Sequence, residues 1–433
     1  MSRFRRKALR ASVTGAPRAV VVGVGFAGLA TVRRLTRAGL QVTLLDRNIY
    51  STFQPLLYQV ATGGLNPSDV AYPLRGFAHR YGARFMHGEL ARIEDPAGGR
   101  GGGAGGKIVL RNGEQLEYDY LVLATGVTAA YYGVTGADKH SLAMYTRRDA
   151  VALRDQLLAW LEKLSAEERG RSLAVTIVGG GATGVELAGT LAELRNLALA
   201  AAFPDIDRSR FQVRLVEQAP ALLAGYAPSL REYAHRQLVA RDIDVRLGAA
   251  ISEITADHVV LAGGERLPSD LTVWAAGVTA PEGLGGWGLP QGRGGRIEVG
   301  PDLRVRGHER IFAIGDIALT DGEPIAQLAQ PALQMGKFAA EQIARLAAGK
   351  PTGRFVYHDR GIMATIGRRS AVAQLRYGIR FRGTLAWFAW LGLHLVELLG
   401  GRNRVITFIN LAYRYLTWGR GGAVLVDSDP PAD

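Results

Sequence analysis

Apolar residues fall into two kinds of run along this chain. Short unbroken runs such as Val20-Val21-Val22 and Val175-Thr176-Ile177-Val178 each stop at a glycine cluster. Behind each cluster the apolar spacing widens to every third or fourth position. An unbroken run predicts a strand buried on both faces, and the wider spacing predicts a helix with one face inward. This reading gives strand 20–24, helix 26–38 and strand 41–45 closing at Asp46, then Tyr120-Leu121-Val122-Leu123 ending in Ala124-Thr125-Gly126. The order then repeats: helix 146–164, strand 173–178, a helix from Gly184 through Leu199, strand 212–216 closing at Glu217, and Leu271–Trp274 entering Ala275-Ala276-Gly277. Such alternation implies parallel sheets covered by helices. The fold class is therefore α/β, with two Rossmann-like dinucleotide-binding domains related by internal duplication and a helical tail.

The chain next returns through an apolar strand, Arg310 to Ile314, ending at Gly315-Asp316, and a helix over 330–347. Residues 351–382 read as short strands, and 383–418 as two apolar helices parted by Gly400-Gly401-Arg402-Asn403-Arg404. Strand-like runs at 84–94 and 107–111 flank the glycine-rich stretch Gly98–Gly106, which reads as a hairpin tip without function. The expected domains are a basic arm (1–17), a discontinuous first domain (18–135 and 296–350), a second domain (136–295), and C-terminal strands and helices (351–433).

Each glycine cluster follows a strand and opens a helix, the context that gives G-x-G-x-x-G its meaning. The first is Gly23-Val24-Gly25-Phe26-Ala27-Gly28, and the second is Gly179-Gly180-Gly181-Ala182-Thr183-Gly184. Here glycine lets backbone N–H groups approach a pyrophosphate at a helix N-terminus, and an acid on the next strand binds ribose hydroxyls. Asp46 and Glu217 are those acids. Glu217 would accept from a 2′-hydroxyl and repel a 2′-phosphate, which argues for NADH over NADPH; as an alternative it is an ordinary surface carboxylate. Glu186, in the first turn of the second cradle's helix, either compensates the helix dipole or reaches a nicotinamide or flavin ring edge. Two cradles imply two dinucleotides, with a flavin beside a nicotinamide as the usual pair.

Composition narrows the acceptor. The 433 residues contain no cysteine, which excludes a thiol–disulfide reductase, a sulfide-oxidising quinone reductase and a cysteine-ligated cluster. Electrons must leave the flavin directly. The eight histidines show no paired ligand spacing, so no metal site is expected. A net charge of +13 calls for a polyanionic partner, nucleic acid or an anionic membrane surface. Arginines crowd the acid-free opening arm, and between Arg360 and Arg420 the only acid is Glu397. Because these tail arginines flank apolar and aromatic runs, the membrane is favoured and nucleic acid is not. No secretory signal follows the arm, which reads as a disordered start or an Arg-rich transit peptide. The apolar stretch 384–399 would span roughly 24 Å as a helix, short of the ~30 Å hydrocarbon core. It is expected to lie in the membrane interface with Trp387 and Trp390 at headgroup level, or in a homodimer interface; both can hold together.

The stretch Phe53-Gln54-Pro55-Leu56-Leu57-Tyr58-Gln59-Val60-Ala61-Thr62-Gly63 resembles a signature of the type II NADH:quinone oxidoreductases. So do Ala329-Gln330-Pro331-Ala332-Leu333-Gln334, Gly315-Asp316 and Met363-Ala364-Thr365-Ile366-Gly367. The resemblance spans about residues 18–420 and implies a glutathione-reductase-like flavoprotein fold. It implies non-covalent FAD on Gly23, Gly25, Phe26, Ala27, Gly28, Asp46, Arg47, Ala124, Thr125, Gly126, Gly315, Asp316, Ala329 and Gln330. It places NADH on Gly179, Gly181, Thr183, Gly184, Glu217, Ala276 and Gly277, with Glu186 beside the nicotinamide as the catalytic residue. A membrane quinone (ubiquinone or menaquinone) would meet Gln330 and Gln334; an overlapping frame leaves Gln327 as a second candidate. The implied setting is peripheral, on the cytoplasmic face of a cell inner membrane, with the mitochondrial inner membrane as the alternative. Two other functions are carried beside this one: a soluble NADH-dependent reductase feeding a protein such as a ferredoxin, and a low-turnover flavoprotein with a binding role.

Overall fold

Each unbroken apolar run becomes a strand of a parallel five-stranded sheet in a computed structural model that describes residues 15–94, 105–166, 171–322 and 325–417, with side chains to 413. The first sheet runs Ile311–Ala313, Tyr120–Leu123, Arg18–Val22, Gln41–Asp46, Arg84–His87. The second runs Leu142–Ala143, Leu271–Trp274, Leu173–Val178, Phe211–Glu217, Ile243–Leu247. In both, the strand leading into the cradle is central, and its end pairs on each side: Val22 with Leu45 and Leu123, Val178 with Val216 and Trp274. Strand order reverses there, so a crevice opens beyond the carboxyl end of that strand.

The helix Phe26–Arg37 buries Leu29, Val32 and Leu35, and the long helix Ala329–Ala347 covers it. Thr31 Oγ1 donates to the Gly336 carbonyl at 3.0 Å, where any Cβ would strike the Ala27 backbone. The corresponding helix of the second sheet, Ala182–Glu193, is buried at every residue from Gly184 onward. Its cover is the strand Gly361–Gly367, whose Ile366 carbonyl leaves no room for a side chain at Gly189. The expected helix through Leu199 continues past Glu193, but through a π-helical turn, Leu194–Ala198, into Leu199–Ala202.

Two compact units emerge: Met1–Ser51, Tyr72–Thr128 and Val278–Asp359; and Thr52–Ala71, Ala129–Gly277 and Arg360–Asp433. Segment 52–71 thus clusters with the second sheet, because its helix Leu57–Ala61 packs on Arg147–Ala166 and Ala182–Glu193. The run 84–94 divides: Arg84–His87 joins the parallel sheet, and Leu90–Glu94 pairs antiparallel with Lys107–Leu110. Of the glycine-rich tip only Gly105 and Gly106 are among the described residues, and of the basic arm only 15–17.

The tail differs from expectation in two ways. Strands Gly361–Gly367, Ser370–Leu375 and Arg380–Arg382 form an antiparallel sheet, against which the helix Thr384–Glu397 packs Ala386 and Trp387. Trp387 and Trp390 are 5% and 2% exposed, which places them in the interior and not at headgroup level. Trp390 stacks on His394 with ring centres 4.0 Å apart and meets Tyr58. The apolar helix can bury them because it faces the chain's own sheet; Leu385, Phe388 and Val396 face outward instead. Secondly, the following helix starts at Gly401, so Arg402, Asn403 and Arg404 belong to it and not to a linker. Asn403 donates to the Ala71 carbonyl and Asn410 to Asp69, both at 2.8 Å, while Thr407 is fully buried. That helix turns Asn403 and Thr407, together with Leu411, toward the protein, and Val405, Phe408 and Ile409 toward the exterior. Among the described residues no helix is long and apolar enough to cross a membrane.

Candidate functional site

Gly23 and Gly179 leave their strands at φ +91° and +111°, left-handed conformations in which any Cβ would strike the backbone of Ala124 or of Ala275-Ala276. Five residues further, Gly28 and Gly184 lie so close that a Cβ would fall on the carbonyl oxygen of Gly23 or Gly179. These contacts turn the chain tightly from strand to helix. Both helices then start on glycine, Gly25 and Gly181, with no side chain capping the first turn and no acid within it; Glu186, expected in that turn, lies beyond it because the helix already begins at Ala182. With no side-chain cap in place, the positive end of each helix dipole suits an anion.

The strand-end acids brace both turns in one way. Asp46 accepts from the Val24 N–H at 2.8 Å and the Asn48 N–H at 2.7 Å. Glu217 accepts from the Gly180 N–H and, at 2.7 Å, from the Ala219 N–H. Burial pushes the Asp46 carboxyl up, against those N–H groups. A carboxylate has about four acceptor sites, so each acid keeps capacity for ribose hydroxyls.

In the first unit the turn Gly315–Ile317 brings Gly315 over Ala27, with its N–H on Met335 Sδ at 3.2 Å. Asp316 is pushed up to about 6 by burial, partly offset by Arg296. The Thr125 hydroxyl is buried without a hydrogen-bond partner. An orphaned hydroxyl and a desolvated carboxyl next to an uncapped cradle fit a dinucleotide rich in hydroxyl and phosphate groups. Ala329 and Gln330 open the long helix. Gln334, one turn on, is occupied: its amide donates to the His358 carbonyl at 2.9 Å and accepts from the His358 N–H at 3.0 Å. Gln327 donates to the Asp316 carbonyl at 3.3 Å.

In the second unit, Gly181 and Thr183 are exposed at the cradle lip, and Gly277 turns at φ +70° beneath the Tyr132 hydroxyl. Glu186 points the other way from the lip, into the interior. Its Oε1 accepts from the Thr365 N–H at 3.3 Å, and the Trp390 indole N–H approaches without meeting hydrogen-bond geometry. Burial pushes its carboxyl up to about 8, so it is mostly protonated at neutral pH; burial, with a smaller contribution from Glu186, likewise raises the Tyr226 hydroxyl above the ordinary phenol range. Tyr226 has no mark in the sequence, and Trp390 is marked there only as a headgroup-level residue, not as a neighbour of Glu186. The apolar spacing marked the helix that carries Trp390, but nothing local marks its pairing with a residue of the cradle helix.

The pyridine nucleotide-disulphide oxidoreductase family model matches residues 17–336; the thiols in that family's name have no counterpart here, since the chain lacks cysteine. The chain is 34% identical over 430 residues to the type II NADH:quinone oxidoreductase Ndh of Mycobacterium tuberculosis, covering 95% of this chain and 90% of that one. To NdhA of the same organism it is 36% identical over 428 residues, covering 95% and 89%. Among solved structures, NDH2 from Plasmodium falciparum in complex with NADH superposes with a TM-score of 0.83 at 18% identity, over 94% of this chain and all of that one, a likeness of fold.

Proposed function

The chain belongs to the type II NADH:quinone oxidoreductase family, and on that premise we propose that it is a flavoenzyme that oxidises NADH and passes two electrons to a membrane quinone without pumping protons. FAD, when bound, supplies the ring that takes hydride from NADH and releases electrons to the quinone. The first cradle, with Asp46, Arg47, Ala124, Thr125, Gly126 and Asp316, would hold it, and the free Thr125 hydroxyl is the observation that carries this reading. The second cradle, Glu217 and the Ala276-Gly277 turn would hold NADH. Glu217 excludes a 2′-phosphate by charge while its spare lone pairs accept from a 2′-hydroxyl. Glu186, kept neutral by burial, would adjust polarity and proton position beside the nicotinamide without setting a charge there. Gln330 is the assigned partner of a quinone carbonyl, because the Gln334 amide already clasps His358. With no cysteine to divert electrons, the acceptor must reach the flavin itself.

The outward apolar residues of the two tail helices favour a lipid-borne acceptor over a protein one and a peripheral place on a membrane, for which the cytoplasmic face of the inner membrane is the proposed setting. The test is direct. Purified protein should be yellow, bleach with NADH much faster than with NADPH, and reduce a short-chain quinone catalytically. A colourless protein that cannot be reconstituted with FAD, or a yellow one that NADH leaves unbleached, would end the proposal. Deleting 383–433 is a poor probe, since it strips Trp387 and Trp390 from the interior.

A further inference from the structure

The hairpin joining Ser370–Leu375 to Arg380–Arg382 exposes what a soluble protein would hide. Tyr377 stands at its tip, 84% exposed, with φ +63°. Asparagine or glycine normally fills such a position, and an aromatic side chain there is strained. Gly378 follows at φ +75°, and the Leu375 N–H to Ile379 carbonyl bond at 2.8 Å closes the loop, so the tip is held in shape. Ile379 is also more than half exposed. The Arg376 guanidinium lies 4.7 Å from the Tyr377 ring centre, and Arg382 is stacked on Tyr233. None of Arg376, Arg380 and Arg382 has a carboxylate partner among the described residues. The outward apolar line continues from the strand's end into Leu385 and Phe388 of the next helix.

We propose that this hairpin tip is a headgroup-reading contact selective for anionic lipid. Tyr377 and Ile379 enter the interfacial layer, and Arg376 and Arg380 meet lipid phosphates. The proposal rests on the membrane reading above and adds a lipid preference that apolar helix faces alone do not supply. Charge complementarity selects the occupant: an aromatic and an aliphatic side chain ringed by unpaired guanidinium groups match the boundary between acyl chains and anionic headgroups. A protein partner would need carboxylates placed to meet each guanidinium, whereas a fluid anionic surface supplies phosphates at any register.

The flavin-loaded full chain is co-sedimented with phosphatidylcholine vesicles and with vesicles in which part of the lipid is phosphatidylglycerol. Wild type should bind the anionic vesicles more tightly, and the preference should shrink with added salt. The double substitution Arg376→Gln/Arg380→Gln should weaken binding to anionic vesicles about 30-fold, each arginine contributing several-fold, and leave binding to neutral vesicles unchanged. Tyr377→Gly should weaken both several-fold without lowering the melting temperature, since glycine suits that backbone. Phe388→Ser on the helix weakens both and serves as the control for membrane docking at large. Wild-type protein that binds neither vesicle defeats the membrane reading and the proposal with it. Wild type that binds both equally, or a double variant that keeps the anionic preference, defeats the tip alone. So does a Tyr377→Gly variant that changes self-association but not vesicle binding, which would make the tip a contact between copies.

Discussion

The two cradles are built alike nearly to the atom, yet only the second has an acid inside its helix. Gly23 and Gly179, Gly28 and Gly184, Asp46 and Glu217 perform matching tasks. Two residues past the last cradle glycine they part: Ala30 in the first helix, Glu186 in the second. The cause lies in the covers. A helix lies on the first cradle helix, and its own N–H groups are already bonded within it. A strand lies on the second, and its Thr365 N–H turns toward the carboxyl. An edge of extended chain can satisfy a buried acid, whereas the flank of a helix cannot. The strand-to-helix turn is thus common to both units, and the covering element decides which of them carries a buried titratable group.

The harshest way to break the likeness is to fill the turn. Gly28→Val and Gly184→Val each force a side chain onto a carbonyl oxygen, and each should cost roughly 5 kcal/mol locally. The geometry is shared but the losses should differ. The first variant should emerge without flavin by its absorbance near the visible flavin bands, and the second should stay yellow while NADH no longer bleaches it. Two variants that lose the same ligand would sink the separate assignment of the cradles.

Ala30→Glu grafts the second helix's acid onto the first. With no extended N–H to meet it, the carboxyl should cost roughly 4 kcal/mol, visible as a denaturation midpoint far below wild type. A midpoint unchanged from wild type would mean that the cover is not what permits Glu186.

Removing the acid sharpens the contrast through pH. The Glu186 carboxyl rises from 4.5 unfolded to about 8 folded. The folded state thus holds its proton longer, and stability falls as pH climbs between those values. Glu186→Gln removes this fall. The variant should melt close to wild type near pH 4.5 and above it near pH 9, by roughly 3 kcal/mol once relaxation of the site is allowed for. Parallel melting curves across that range would show that the carboxyl is not desolvated as the structure has it.

Much of the site was legible in the sequence because it is local. The glycine spacing, the acid ending each second strand, and the small-residue turns Ala124-Thr125-Gly126 and Ala275-Ala276-Gly277 all sit within short reach of one strand end. Each motif dictates its own backbone. What escaped was non-local. Trp387 and Trp390 read as interfacial because their helix is apolar nearly all round, and such a pattern does not say which side meets protein. Asn403, Thr407 and Asn410 form an inward polar stripe recognisable only once Ala71 and Asp69 are known to lie opposite. Gln334 carries a motif glutamine's identity, but its partner is a backbone far along the chain at His358. Asn403 apart, which was expected in a linker and lies in the helix Gly401–Thr417, the element was correctly of its type, and the missing information was what it faced.

The smallest test concerns the matched acids. Glu217 braces its turn through the Gly180 and Ala219 N–H groups, as Asp46 does through Val24 and Asn48. Glu217→Gln keeps one acceptor oxygen and replaces the other with an amide that cannot accept from an N–H. One brace is therefore lost, at about 1 kcal/mol, and the fold survives. The same change removes the charge that opposes a 2′-phosphate. KM for NADH should rise several-fold while KM for NADPH falls, with flavin content unchanged. Asp46→Asn, equally mild in stability, should instead lower flavin retention and leave the NADH-to-NADPH preference untouched. Were Glu217→Gln to lower flavin content and keep full discrimination, the two acids would have exchanged roles, and the second cradle could not be the nicotinamide site.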